Sequence, residues 1–258
     1  MNYDVIVVTS FFDIGRGNWP YFKRESEQYL EWFENLAQLT NQMVIFTERK
    51  FFSQILEIRA KYGLEHQTSV IVCEYPFNRD VWAINSAMSR PEFISFVHNQ
   101  QCPEYWSSAY VIICTQKPTF VSTAIDILRL SDSDQVAWID FGYCRDDKRF
   151  DKSVPWRFDC QGKMNLFYSR KPDDRPIFDI VRTGDVYFQG CHMVGPSHSW
   201  KELRGLIDDS LSSLLACGLV DDDQTALLMA YRHKSELFQI HANDPSDWFT
   251  VMRDFRIG

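Results

Sequence analysis

Two carboxylate positions in this sequence have the makings of a reaction centre. Asp140 closes the run Val136-Ala137-Trp138-Ile139-Asp140-Phe141-Gly142, an apolar stretch that reads as a strand ending on a carboxylate. In open parallel sheets ligands gather beyond the carboxyl ends of the strands, and an Asp placed there gains little from packing, so the position points to chemistry. Mg²⁺ or Mn²⁺ in phosphate chemistry takes one or two carboxylates and completes its shell with phosphate oxygens and water, so one Asp is enough to begin a site. His241 ends the last predicted strand on the side where Asp140 should lie, which makes it the candidate second ligand.

The other position is Asp221-Asp222-Asp223-Gln224, where a predicted helix opens. Acidic side chains at a helix start cap free N–H groups and favour the dipole, and one of the three needs no other explanation. Three like charges repel, however, and capping needs only one. Asp222 or Asp223 is therefore left over for work as a general base.

Several other signals are weaker. Gly15-Arg16-Gly17 follows the first predicted strand, but Pro20 stands where a dinucleotide fingerprint needs its third Gly. Arg16 in that turn could instead meet a phosphate through its planar fork. The Asp140-Phe141-Gly142 tripeptide has no kinase meaning without the glycine-rich and His-Arg-Asp loops. Gly190, inside the strand-like stretch 186–193, would let a ligand approach the backbone. Cys191, His192, His198, His233 and His241 match no zinc spacing.

The elements that must hold these residues follow from periodicity. Val5 to Thr9 is continuously apolar and β-branched, as a strand buried on both faces requires. A helical stripe then runs through Tyr29, Leu30, Phe33, Leu36 and Ala37, and a strand covers Met43 to Thr47. A helix from Phe51 to Tyr62, stopped by Gly63, leads to a strand from Ser69 to Cys73. This is a doubly wound β-α-β-α-β start, hence α/β with a mostly parallel sheet. Asn78 to Gln101 reads as helical, Tyr110 to Thr115 is another apolar run, and a helix continues from Lys117-Pro118 to Leu130. The stretch from Arg145 to Arg175 has no clear period and reads as loops and short antiparallel strands. Trp200 to Leu215 and Asp221 to Tyr231 are helical, and Phe238 to His241 is the last strand.

Composition bounds the possibilities further. The chain has 258 residues, 45% hydrophobic and 24% charged, with no low-complexity tract, which fits one globular domain over 1–258. With 27 basic and 35 acidic side chains the net charge is −8, a field that disfavours broad nucleic-acid binding. A small anionic substrate remains compatible where a local cation reverses the sign. Seven cysteines without a C-x-x-C pair suit a reduced, cytoplasmic protein. No run approaches the ~20 apolar residues of a membrane span, so the expected membrane contact is at most peripheral.

The segments Val8-Thr9-Ser10-Phe11-Phe12-Asp13-Ile14-Gly15-Arg16, Trp138-Ile139-Asp140-Phe141-Gly142-Tyr143 and Asp221-Asp222-Asp223-Gln224-Thr225 are similar to those of the bacterial HtrL/YibB family, in order and across nearly the whole chain. That resemblance implies a GT-A-like, Rossmann-type mixed sheet flanked by helices. A nucleotide-sugar half would cover 1–143 and an acceptor half 144–258. It also implies a glycosyltransferase that moves galactose or glucose from a UDP-sugar, with Mn²⁺ or Mg²⁺, to a saccharide or lipid-linked saccharide in lipopolysaccharide or O-antigen assembly. Thr9, Phe11 and Arg16 would then lie near the nucleotide, and Asp140 would stand for the first Asp of a D-x-D motif. Gly142 replaces the second, so Asp140 and His241 would share the metal. On this reading Asp223, or Asp222, takes the acceptor proton, Arg16 and Lys117 neutralise the diphosphate, and Gly190 and His192 border the sugar. The rival readings are a nucleotidyltransferase and a non-catalytic sugar-nucleotide or glycan-binding protein.

Overall fold

The computed structural model describes residues 3–74, 81–146, 148–152 and 154–257. In chain order, β1 (Val5–Phe11), α1 (Ser26–Leu36), β2 (Met43–Thr47), α2 (Phe52–Ala60) and β3 (Thr68–Val72) make the expected alternating start. Next come the short helices α3 (Val81–Met88) and α4 (Pro91–Phe96), then α5 (Ser108–Thr115) and α6 (Lys117–Leu128). Within the expected helical stretch 78–101, residues 78–80 lie outside the described residues. The apolar run 110–115 lies within α5.

The second half holds β4 (Gln135–Ile139), β5 (Met164–Tyr168), α7 (Ile177–Thr183), β6 (Phe188–Pro196), α8 (Ser197–Ala216), α9 (Asp223–His233), β7 (Phe238–Ala242) and α10 (Val251–Asp254). These strands form one seven-stranded mixed sheet in the order β3-β2-β1-β4-β6-β5-β7. β6 pairs antiparallel with both β4 and β5, while the other pairings are parallel, so β6 alone runs against the rest. The irregular stretch 145–175 thus contributes β5, a strand antiparallel to β6 but parallel to β7.

Helices cover both faces because the central strands are apolar on both. Leu30, Phe33 and Leu36 of α1 point at one face, where Phe33 stacks on Phe141 with centroids 4.2 Å apart. Phe33 is fully buried, and truncating such a ring to Ala typically costs about 3–5 kcal/mol. On the other face α6, α8 and α9 bury Phe120, Trp200 and Leu227, with the Trp200 indole N–H donating to the Val136 carbonyl at 2.9 Å. Gly218, at φ +73°, follows α8 in the left-handed conformation that lets a chain leave a helix sharply.

A third, smaller cluster joins α3, α4 and α5 to the ends of α7 and α8. Among the described residues no single helix is long and apolar enough to cross a membrane. The pair α5 and α6, bent by 42°, reaches the required length and composition only together, and its apolar side chains Val111, Ile112, Phe120 and Val121 are buried in the fold.

Candidate active site

The direction of β6 builds the site. Because it runs antiparallel to β4, its N-terminal part reaches the carboxyl end of β4, and the Asp140 N–H donates to the Cys191 carbonyl at 2.9 Å. Gly190 therefore stands beside Asp140. A cleft of about 410 Å³ opens over this edge, within the size range of small-molecule sites.

Lys117 is the centre of its polar floor. It occupies the first turn of α6, where a cation opposes the helix dipole, and its side chain is nearly fully buried. Three contacts offset that cost: an ion pair with Asp223 Oδ2 at 2.8 Å, a hydrogen bond to the Gly190 carbonyl at 2.9 Å and an ion pair with Asp140 Oδ1 at 3.1 Å. Burial pulls the ammonium's pKa down, but Asp140 and Asp223 outweigh it and hold it well above the usual value. Only the Gly190 carbonyl meets the ammonium with hydrogen-bond geometry; the two carboxylates are ion-paired with it, and the buried Asp223 Oδ2 has no hydrogen-bond donor among the described residues. Lys117 thus ties two carboxylates together, a different task from the expected contact with donor phosphates.

Asp140 also accepts from the Trp138 indole N–H at 2.7 Å, which fixes the carboxylate at the mouth of β4. Asp223, at the first position of α9, is buried, and a side chain on residue 190 would overlap it. Gly190 is therefore glycine for the sake of Asp223, and the open backbone expected to receive a ligand receives this carboxylate instead. Asp222 is the helix cap, accepting from the Gln224 N–H at 2.9 Å. Asp221 accepts from the Asp222 N–H and the Thr225 hydroxyl, both at 2.9 Å, and so is the structural member of the three.

Burial dominates the titration of this acidic end. It pushes Asp221 up to about 7 with help from Glu104, and it pushes Asp222 well above the carboxylate range with help from Asp223 and Glu104. It raises Asp223 too, although Lys117 pulls that carboxyl back. A raised value makes Asp223 a better proton acceptor than an ordinary surface carboxylate.

The same cleft also carries cationic groups. Arg16, Arg24 and Arg145 all line it, and none makes an ion pair among the described residues. Arg16 is held by donating to the Phe22 carbonyl at 3.0 Å and the Tyr29 hydroxyl at 2.7 Å. The Arg145 guanidinium lies 4.9 Å from the Trp32 ring and 4.4 Å from that of Phe249, and Arg24 lies 5.5 Å from Trp32. Phe11 forms part of the floor, stacked on Phe141 at 4.7 Å.

Three expected site residues lie elsewhere. Thr9 is fully buried in β1, below the cleft and outside its lining. His192 is fully buried between Tyr143, Trp156 and Phe167, with neither ring nitrogen hydrogen-bonded, and burial lowers its pKa to about 3. His241 sits on β7, three strand spacings or ~14 Å across the sheet from β4. There it contacts the Asn165 side-chain oxygen at 2.7 Å and stacks on Phe167, so it does not share an ion with Asp140.

The expected Mn²⁺ or Mg²⁺ does not fit the donors that are near. Cys114, Asp222 and Asp223 bring ligand atoms within 4.8 Å of one another. Those hard ions take oxygen ligands, whereas this group includes a thiol that burial holds well above its usual pKa and a carboxylate already paired with Lys117. Arg24, Arg145, Glu104 and Cys114 carried no sequence signal of their own, except that Arg145 follows the strand-end Asp140 by five positions.

Fold and cleft together define a mixed-sheet α/β protein with a ligand-sized site at the strand ends, lined by both acidic and basic groups. The chain belongs to the HtrL/YibB family, whose model, described as a bacterial protein of unknown function, matches residues 3–257. It is 33% identical over 270 residues to Protein HtrL of Escherichia coli (strain K12), covering 99% of this chain and 94% of that one. Among solved structures it is similar to the apo form of mouse xyloside xylosyltransferase 1, at 12% identity and a TM-score of 0.45, covering 93% of this chain and 85% of that one.

Proposed function

We propose that this protein is a GT-A-like glycosyltransferase that moves a hexose, galactose or glucose, from a UDP-sugar to a saccharide or lipid-linked saccharide of the bacterial surface. The observation that carries this reading is the mixed charge of one cleft, lined both by a buried carboxylate with a raised pKa, Asp223, and by guanidinium groups without a carboxylate partner among the described residues. Glycosyl transfer from a sugar nucleotide needs both, a base for the incoming hydroxyl and cations for the departing diphosphate.

The reaction is a direct displacement with inversion. Asp223 accepts the proton of the acceptor hydroxyl while that oxygen bonds to the anomeric carbon. The bond from that carbon to the phosphate oxygen breaks, and its electron pair leaves with the nucleoside diphosphate, whose charge Arg16 meets. Lys117 is a positioning residue: it holds Asp223 against Gly190 and restrains its pKa. Asp222 caps α9 and fixes the direction of Asp223. Asp140 and His241 stand apart on the sheet, and the displacement uses the side chains of the cleft.

The test is a panel of nucleotide sugars incubated with the full chain, read for nucleoside diphosphate release, since many transferases hydrolyse their donor slowly. UDP released from a UDP-hexose, faster with saccharide acceptors present, is the expected result. Pyrophosphate release would instead mark a nucleotidyltransferase, and binding without turnover of any donor would mark a binding protein. Either outcome overturns the reading.

A further inference from the structure

We propose that the cleft binds the diphosphate without a divalent cation, through Arg16, Arg24 and Arg145, while the Lys117 ammonium permanently fills the cation position at the end of β4. The inference deepens the transferase reading and rests on it only for the identity of the diphosphate's owner.

Two independent observations carry it. The first is occupancy. At the strand-end carboxylate Asp140, the place where a divalent ion would be expected, the ligand field already holds a cation: Lys117 Nζ, 3.1 Å from Asp140 Oδ1 and 2.8 Å from Asp223 Oδ2. It is tethered, nearly fully buried and held charged by the two carboxylates. An ion approaching Asp140 Oδ1 or Asp223 Oδ2 would have to compete with a covalently attached cation whose effective concentration is high and constant.

The second observation concerns the acids beside the arginines. Each arginine has an acidic near neighbour in sequence, and each of those acids is committed to another cation. Asp13 pairs with Lys50 at 2.9 Å, Glu25 with Lys23 at 3.0 Å and Asp146 with Arg149 at 2.6 Å. Arg16, Arg24 and Arg145 are left without a carboxylate among the described residues, inside one cleft of a chain whose net charge is −8. Their mutual repulsion is felt: burial lowers the Arg145 pKa, and the charges of Arg24 and then Arg16 lower it further. Side chains that repel one another are nevertheless held in place by the rings of Trp32, Tyr29 and Phe249. Three ring-held guanidinium groups lining one cleft suit a polyanion of two linked phosphates, Arg16 through the Nη2 left over from its bonds to Phe22 and Tyr29. Phosphate is the shared chemistry, whether it arrives on a nucleotide donor or on a phosphorylated acceptor.

The experiment titrates the full chain by calorimetry with inorganic pyrophosphate and with UDP, each in EDTA and each in excess Mn²⁺, and repeats the EDTA titrations with Arg16→Gln, Arg24→Gln and Arg145→Gln. Affinity for both ligands should be the same within about threefold with and without the metal. Each arginine variant should weaken both by about 10-fold or more, the size of one charge-assisted contact. Circular dichroism melts of the variants separate lost binding from lost folding, and since Arg16 and Arg24 are half-buried and Arg145 is exposed, at least two of the three should keep the wild-type transition. Binding that disappears in EDTA, or that none of the folded arginine variants weakens, overturns the proposal and leaves the transferase reading standing. Metal-free pyrophosphate binding that the variants abolish, with no affinity for UDP, upholds the arginine site but removes the nucleotide-sugar donor. UDP binding alone, with pyrophosphate silent, assigns the contact to the nucleoside and overturns the proposal.

Discussion

Gly190 and Asp223 share one volume: the missing side chain of the first is the space occupied by the carboxylate of the second. Replacing Gly190 by Ala should therefore displace Asp223 and abolish transfer. Overpacking of this kind costs about 1–3 kcal/mol of stability. In the Asp223→Ala background the same change should be nearly neutral, so a double-mutant cycle in urea reads the overlap directly. Equal costs in both backgrounds would mean that the two residues do not compete.

Asp223→Asn keeps the shape and removes the proton acceptor. Transfer should fall by about 10²–10⁴-fold, the usual contribution of a general base, with donor affinity nearly unchanged. Stopped-assay rates alongside donor titration decide the matter, and a parallel loss of both would assign Asp223 to donor binding.

Lys117→Met removes the cation between Asp140 and Asp223. Breaking a buried ion pair on one side typically costs about 3–5 kcal/mol, and the midpoint of urea unfolding should drop accordingly. The double variant Lys117→Met with Asp223→Asn should recover part of that loss, because it no longer leaves a buried carboxylate unpaired. An unchanged midpoint in the single variant would show that the ammonium is not holding the floor together.

Asp222→Asn tests the acidic end through pH. Burial, with Asp223 and Glu104, raises the folded pKa of Asp222, so above the ordinary carboxylate range near 4 the unfolded chain releases a proton that the folded one retains. Stability is thus present at low pH and lost as pH rises toward the folded value, by at most about 1.4 kcal/mol per pH unit. Asn caps a helix as well as Asp does. The variant's melting temperature should match the wild type near pH 4 and exceed it increasingly toward pH 8.

His192 has the opposite sign. Its folded pKa of about 3 lies below the unfolded value near 6.5, so the unfolded chain takes up the proton first and stability falls as pH drops from about 6.5 toward about 3. His192→Leu should flatten that acid limb in a pH series of thermal melts while leaving transfer in place. A lost activity with an unchanged acid limb would return His192 to the site.

Periodicity was enough to read most of the sheet, both flanking layers and the two carboxylate stations. Continuous β-branched runs such as Val5 to Val8 fit only a strand buried on both faces, and a carboxylate closing such a run, as Asp140 does, is exposed at a strand end by construction. Three consecutive acids before a helix similarly mark Asp222 and Asp223, since a cap uses one.

What the tertiary structure decided is which side each residue faces and what lies across from it. Within β6 the pairing with β5 shifts between Leu166 and Tyr168, so Gly190 opens toward Asp223 while His192, two positions later, turns into the opposite aromatic core. Strand order, which no local pattern encodes, separates His241 from Asp140 by two intervening strands. The bond between Lys117 and its two carboxylates joins residues 23 and 106 positions apart in the chain, and the arginine end joins the loops after β1 and β4. Such meetings depend on how helices and strands pack in three dimensions, and charge type alone could not announce them.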